Sequence, residues 1–156
     1  MIRLKKDYIR DYATEAFRFW ASCGCPSMAQ ATERLRERVM KENADKPERA
    51  VIIAEEAVAA AQGELLDIMA VNETMRLLTE YGRSDIAQAV AAVYCYDSKR
   101  KVSRGEITRR VVKHSLACHM SERNVYRSLA KARALFASLR GLRCDVGIEE
   151  LLLRLK

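Results

Sequence analysis

Apolar residues recur every three to four positions along most of this 156-residue chain, and polar residues fill the positions between them. That spacing is the 3.6-residue period of an amphipathic α-helix, whereas half-buried strands alternate with a period of two. No long stretch of the chain alternates with period two, so the sequence predicts an all-α fold. The first predicted helix spans residues 4–21 and the second spans residues 27–43, with a break at Gly24 and Pro26 between them.

The pattern from Pro47 to Tyr81 predicts one long central helix. Its apolar residues follow alternating steps of three and four, which is the a/d spacing of a coiled coil, and an asparagine falls at one of the a positions. In that interpretation the surface for self-association or partner contact consists of Val58, Leu65, Ile68, Asn72 and Met75. The alternative is that the helix packs inside its own chain, because its apolar face is wider than a coiled-coil seam. Gly63 weakens the helix and could mark a break.

Four shorter helices are predicted in the C-terminal half, at about residues 85–96, 104–116, 122–138 and 146–156. Ser103 and Glu106 have the spacing of a capping box, Ser121 caps the third of these helices, and Gly141 ends it. The expected architecture is therefore a helical bundle with a long central helix. Residues 1–82 are predicted to form an N-terminal lobe, and residues 83–156 a C-terminal lobe.

The composition predicts a folded, cytoplasmic protein. The chain has 49% hydrophobic and 31% charged residues and only two prolines, which leaves little room for disordered linkers. No apolar run approaches the roughly 18 residues of a membrane span, and the charged residues 1–17 lack the apolar centre of a signal peptide, so no membrane partner is expected. The five cysteines are scattered and odd in number, which predicts reduced, mostly buried thiols. The Cys23–Cys25 spacing is too short for a typical zinc site, so neither a metal nor a cofactor is expected.

Positive charge is concentrated in one part of the chain. Residues 99–143 contain thirteen lysines and arginines against two glutamates, a net charge of +11, which leaves −4 for the rest of a chain whose formal net charge is +7. Such an excess in one half favours binding to a polyanion, because basic side chains release condensed counterions from phosphates. The alternative is a solvated basic surface on a helical bundle.

The three predicted helices before Gly141 have the layout of a helix-turn-helix unit, in which the last helix enters the DNA major groove. An apolar stripe would anchor that last helix in its own lobe, and it consists of Val125, Leu129, Ala132 and Phe136. The residues expected to contact base edges lie on the opposite arc and are Arg123, Asn124, Arg127, Ser128 and Lys131. Those expected to contact backbone phosphates are Lys99, Arg100, Lys101, Arg104, Arg109, Arg110, Lys113 and Ser121.

The segment SERNVYRSLAKAR, residues 121–133, resembles the recognition-helix signature of sigma-70 region 4-like domains. A wider stretch, over about residues 84–143, is similar to the C-terminal half of small regulators from phages and mobile elements, including the ArpU-type late-transcription regulators. The resemblance implies sequence-specific binding to double-stranded DNA for transcriptional control, in a bacterial or phage-infected bacterial cell. In the family pattern the turn position that commonly holds glycine corresponds here to His119. The alternative is a longer turn over residues 114–120, which would put Val111 and Val112 in the core.

The predicted function is therefore a double-stranded DNA-binding transcriptional regulator that forms a homodimer through its N-terminal lobe. The alternative is a helical adaptor that binds RNA polymerase or a phage assembly component without contacting DNA. An enzyme is not expected, because His114 and His119 do not share a helical face. The sequence also contains no nucleophile elbow, phosphate-binding loop or metal-spaced His–Glu pair.

Overall fold

The computed structural model describes residues 7–142 and 147–156, and within these ranges the chain is all-helical, as predicted, with no strand. The α-helices are α1 (Tyr8–Ser22), α2 (Met28–Glu42), α3 (Pro47–Ala60), α4 (Gln62–Glu80), α5 (Ser84–Val90), α6 (Arg104–Cys118), α7 (Glu122–Arg140) and α8 (Ile148–Leu155). A π-helical segment, Ala91–Cys95, continues α5. Residues 4–6 of the first predicted helix lie outside the described residues. None of the described helices combines the length and hydrophobicity that a membrane crossing requires.

Helix starts follow the capping residues of the sequence. Ser27 begins α2 with a full capping box, in which its hydroxyl accepts the N–H of Gln30 at 3.1 Å and the Gln30 amide oxygen accepts the N–H of Ser27 at 3.0 Å. At the start of α6 the Ser103 hydroxyl accepts the N–H of Glu106 at 3.4 Å. The Glu106 carboxylate is instead within ion-pair distance of two arginines of α6. Of the two hydrogen bonds of the predicted capping box, the one to the Ser103 hydroxyl is therefore formed.

The predicted single helix over residues 47–81 is two helices, α3 and α4, which meet at Ala61. Ala61 ends one helix and begins the next, with φ −89° and ψ 9°. Gly63 follows two residues later, and glycine costs a helix up to about 1 kcal/mol relative to alanine. The two parts also pack differently, since α3 lies along α2 as a helical hairpin and α4 contacts α1 and α7. Different packing on either side of a weak helical stretch accounts for the break.

Most residues of the predicted coiled-coil seam face the interior of their own chain. Leu65 and Ile68 are buried, and Val58 and Met75 are half-buried. The Asn72 side chain donates to the carbonyl of Pro26 at 2.8 Å and to that of Ile68 at 3.0 Å. The predicted contact of Leu65 and Ile68 with a second chain is wrong, because both side chains are buried in their own chain, where α4 packs against α7, α1 and α2.

The hydrophobic core is centred on α7. The predicted anchor residues Val125, Leu129, Ala132 and Phe136 are all buried. The Phe136 ring lies 5.6 Å from that of Phe17, centroid to centroid, and joins α7 to α1. Side chains from both sides of the predicted lobe boundary at residues 82 and 83 belong to the same core cluster. The two predicted lobes therefore share one hydrophobic core.

A polar network also joins the two halves of the chain. Asp67 of α4 accepts a hydrogen bond from the Arg140 Nε at 2.6 Å and from the Tyr12 hydroxyl at 2.7 Å. Both members of the Asp67–Arg140 pair are largely buried. Burial, together with the hydrogen bond to Asp67, raises the pKa of Tyr12 above its usual value. These contacts fix the C-terminal part of α7 against α1 and α4.

Candidate nucleic-acid interface

The turn between α6 and α7 is short. Helix α6 continues to Cys118, two residues past the predicted end, so the alternative of a longer turn over residues 114–120 does not apply. His119 takes the left-handed conformation, with φ 53° and ψ 39°, at the position where the family pattern commonly has glycine. The Ser115 carbonyl accepts the N–H groups of both His119 and Met120, the latter at 3.1 Å. The chain therefore makes the tight C-terminal turn that glycine usually permits, with histidine in its place.

Helix α7 begins at the predicted cap. The Ser121 hydroxyl accepts the N–H of Asn124 at 3.2 Å, and the first amides of the helix point outward beside it. A free helix N-terminus carries partial positive charge and favours an anion such as phosphate. Ser121 itself is exposed, as its predicted place near a phosphate requires.

The N-terminal half of α7 has one buried and one exposed face. Arg123, Asn124 and Arg127 are exposed and Lys131 is half-exposed, opposite the buried side chains of the anchor stripe. Among the described residues, no acidic side chain lies within ion-pair distance of Arg123, Arg127 or Lys131. The face thus offers two guanidinium groups, an amide and an ammonium group that no neighbouring carboxylate neutralises.

Ser128 does not belong to this exposed face. Its exposed fraction is 7%, and it lies beside Leu129 on the buried side of α7. The predicted contact of Ser128 with a base edge is therefore wrong. Helix α7 packs against α5 on one side and α6 on the other, which makes its buried arc wide enough to include the serine.

Tyr126 and Ala130 belong to the exposed face and were missed. Tyr126 is 43% exposed, and Ala130 is also exposed. With Arg123 and Arg127 they follow the spacing i, i+3, i+4 and i+7, which marks one face of a helix. That spacing was present in the sequence, and an apolar face contact to a thymine methyl group is an available role for such residues.

Most of the residues predicted to contact phosphates are exposed. They lie on the loop before α6 and on α6 itself, and the exposed ones are Lys99, Arg100, Lys101, Arg104, Arg109 and Lys113. The loop is tied to the core, because the Arg18 guanidinium of α1 donates to the carbonyl of Arg100 at 2.7 Å. That contact holds the backbone of a loop that carries three consecutive cations.

Arg110 differs from its predicted place on the surface. Its exposed fraction is 6%, and its Nη1 donates to the carbonyl of Val93 in the π-helical segment at 3.1 Å. Its Nε lies 3.4 Å from a carboxylate oxygen of Glu106, and the guanidinium lies 5.4 Å from the centre of the Tyr96 ring. The predicted phosphate contact of Arg110 is therefore wrong, since the side chain joins α6 to the preceding segment. Its spacing of three from Ile107 already placed it on the inward face of α6.

The described thiols are all free, but they are less buried than predicted. Cys25 and Cys118 are exposed and Cys23 and Cys95 are half-buried, whereas Cys144 lies outside the described residues. Burial raises the pKa of Cys95 to about 12, so this thiol stays protonated at neutral pH. Within the described ranges, no three His, Cys, Asp or Glu side chains come together in a way that could hold a metal ion.

Comparison of the chain with protein-family models, with curated proteins and with solved structures found no significant match in any of the three. Support for a function therefore comes from the residues and geometry of this chain.

Proposed function

We propose that this chain is a sequence-specific double-stranded DNA-binding transcriptional regulator of the kind encoded by phages and mobile elements, with α5, α6 and α7 as a helix-turn-helix unit. The observation that carries the proposal is the exposed face of α7 formed by Arg123, Asn124 and Arg127. These three side chains lie in the first two turns of a helix whose opposite face is buried in the core. A recognition helix requires that combination, because its N-terminal turns enter the groove while its other face stays attached to the domain.

The residue types suit base recognition in the major groove. An arginine donates two parallel hydrogen bonds to O6 and N7 of guanine, and an asparagine pairs with N6 and N7 of adenine. We assign the first role to Arg127 and Arg123, the second to Asn124, and flanking contacts to Lys131 and Tyr126. The small side chain of Ala130, towards the C-terminal end of this face, lets the helix backbone approach the DNA closely there.

Affinity is expected to come mainly from phosphates. The exposed cations of the loop and of α6 lie on the segment that precedes the recognition helix, and the α7 N-terminus adds exposed amides. Each neutralised phosphate releases a counterion, so the binding constant should fall steeply with salt, by a slope of about 0.9 per phosphate contact in a double-logarithmic plot. The resemblance to sigma-70 region 4-like domains, carried by residues 121–133, agrees with this assignment.

Selection of bound duplexes from a random pool, followed by gel-shift titration, tests the proposal. Arg127→Ala should relax the preference at one base pair and cost about 1–3 kcal/mol on the selected sequence. Lys101→Ala is the matched control, because it also removes one exposed cation but should weaken all duplexes alike and lower the salt slope by about one. If wild type selects no sequence, or if both variants bind every duplex as wild type does, the chain does not read DNA in this way.

A protein–protein adaptor is the second candidate function, and one observation favours it. The α2–α3 hairpin carries two exposed aliphatic side chains on α3, Val51 and Ile52, and buries few residues of its own. The partner of the adaptor would be RNA polymerase or a phage assembly component, and a second copy of the chain is the competing occupant of this surface. Light scattering on wild type and Ile52→Glu distinguishes the homodimer, since a dimer through this hairpin should become a monomer in the variant. A chain that shows no DNA binding at low salt would favour the adaptor.

A further inference from the structure

A cleft lies between α6 and the end of the π-helical segment. Its volume is about 330 Å³. The lining residues come from one face of α6 and from two positions of the preceding segment: Ala92, Tyr96, Glu106, Arg109, Arg110, Lys113, His114 and Ala117. Small-molecule sites commonly occupy about 300–1,000 Å³ and combine apolar walls with a few polar groups, and this cleft falls at the lower end of that range.

The cleft has an aromatic wall and an apolar floor. Tyr96 is 62% exposed although it stands at the edge of a helical core, and the small side chains of Ala92 and Ala117 also line the cleft. His114, whose exposed fraction is 8%, also lines the cleft, and its ring nitrogens lie 3.6–3.7 Å from the Cys118 sulfur. A thiol is a weak hydrogen-bonding partner, so the imidazole keeps capacity to bind a polar group in the cleft.

The cations of the cleft outnumber its carboxylates by three to one. The Arg110 guanidinium already donates a hydrogen bond to the Val93 carbonyl, whereas the Arg109 and Lys113 side chains are exposed at the rim. The Lys113 ammonium lies 5.7 Å from the centre of the Tyr96 ring. A single carboxylate, Glu106, pairs with Arg109 and Arg110, and among the described residues no acidic side chain lies within ion-pair distance of Lys113. The site therefore presents the exposed Tyr96 side chain, with the Arg110 and Lys113 cations over its ring, beside a net positive charge.

We propose that this cleft binds a small organic anion that contains a flat ring, with the ring against Tyr96 and the anionic group at Lys113 and Arg109. An aryl phosphate or a nucleoside monophosphate has this chemistry. Aromatic stacking and charge-assisted hydrogen bonds each contribute to such binding, so the ring and the charge are both required. A free phosphate lacks the ring, and an uncharged phenol lacks the anion.

The ligand would also act on DNA binding, and this second step rests on the proposed function. Arg109 and Lys113 are two of the cations assigned to backbone phosphates, and a bound anion would neutralise them. Saturating ligand should therefore weaken duplex binding by about ten-fold, because the duplex loses two charge-assisted contacts. The cleft would in this way be an effector site on the helix that precedes the recognition helix.

Calorimetric titration of the full chain with phenyl phosphate and with adenosine monophosphate tests the cleft without DNA. Inorganic phosphate and phenol are the matched probes that lack the ring or the charge. Either organic anion should bind at least about ten-fold more tightly than both of these. Tyr96→Leu and Lys113→Gln should each weaken binding by about ten-fold. Tyr8→Leu and Lys41→Gln, which change an exposed tyrosine of α1 and an exposed lysine of α2, should leave the affinity unchanged.

Three outcomes would overturn the proposal. The first is no binding of either anion up to about 10 mM, the range of very weak sites. The second is equally tight binding of inorganic phosphate, which would make the cleft a plain phosphate contact. The third is an equal loss of affinity in the control variants. If circular dichroism shows that Tyr96→Leu does not fold, the affinity of Lys113→Gln tests the proposal instead. This variant should fold, because the Lys113 side chain is exposed. A chain that binds the anion but no duplex would refute the proposed function and leave the cleft assignment intact.

Discussion

Arg110 provides the sharpest test of how the basic surface is built, because its neighbour Arg109 is a matched control on the same helix. The Arg110 guanidinium is buried against the π-helical segment, whereas the Arg109 side chain is 79% exposed. Arg110→Met keeps most of the side-chain volume and removes the charge and the hydrogen-bond donors. Arg109→Met makes the same chemical change at the surface. The structure predicts that the first substitution affects folding, and the proposed function predicts that the second affects DNA binding.

The expected loss for Arg110→Met follows from three contacts. The Val93 carbonyl loses a donor at 3.1 Å, and a buried acceptor left in this way costs about 1–3 kcal/mol. The cation–π contact with Tyr96 contributes about 0.5–1 kcal/mol. Glu106 keeps Arg109 at 3.2 Å, so the lost ion pair adds less than about 1 kcal/mol. The free energy of unfolding should therefore fall by about 2–4 kcal/mol, against less than about 0.5 kcal/mol for Arg109→Met.

Urea denaturation followed by circular dichroism measures both values, with the slope of the transition checked for each variant. Gel-shift titration at a temperature where each variant is folded gives the second readout. Arg109→Met should weaken every duplex and lower the salt slope by about one, and Arg110→Met should keep the wild-type slope. Equal stability of Arg110→Met and wild type would refute the assignment of Arg110 to the packing between α6 and the π-helical segment.

Three further substitutions test the ion pair between α4 and α7, the ion pair at the start of α5, and the end of α7. Asp67→Asn weakens the largely buried pair with Arg140 and should lower the free energy of unfolding by about 1–3 kcal/mol in urea denaturation; an unchanged midpoint would contradict this. The hydrogen bond from Arg83 lowers the pKa of Asp85, so its contribution to stability is present above about pH 4 and is lost as the pH falls through the lowered value. Thermal melts between about pH 2 and pH 6 should show a shallower pH dependence in Asp85→Asn, and parallel curves would exclude this role. Gly141→Ala should lower the free energy of unfolding by about 1–2 kcal/mol. Gly141 has φ 79° and open space around it, so the loss comes from backbone strain alone, and an unchanged melting temperature would contradict this.

The buried face of α7 was predictable because it follows from periodicity alone. Val125, Leu129, Ala132 and Phe136 repeat at steps of four, three and four, and any amphipathic helix of this composition buries such a stripe. The same argument holds for α5 and the π-helical segment, where Ile86, Val90 and Val93 are buried as their spacing predicts. Strong stripes of large aliphatic and aromatic side chains determine which face turns inward, whichever helices cover it.

The edges of a buried face are not predictable in this way. Ser128 and Arg110 each lie next to a buried stripe, and whether they are covered depends on which helices pack on both sides. The arginine also needs a specific acceptor, the Val93 carbonyl, and only the folded chain brings that acceptor within reach. The partner of an apolar stripe is likewise a property of the fold, which is why the spacing of Leu65 and Ile68 fitted a second chain as well as the helices of their own chain.

The direction of the exposed face of α7 depends on backbone contacts at the turn more than on the residue type there. A left-handed non-glycine residue costs about 1 kcal/mol, so His119 keeps this conformation only because its surroundings hold it. The Ser115 carbonyl binds the two N–H groups that follow α6, and the Ser121 hydroxyl binds the N–H of Asn124. These bonds determine where α6 stops and α7 starts, and the buried Val125 then fixes the rotation of α7 about its axis. Arg123 and Arg127 face solvent as a consequence, so the turn and the core together present the proposed base-reading face.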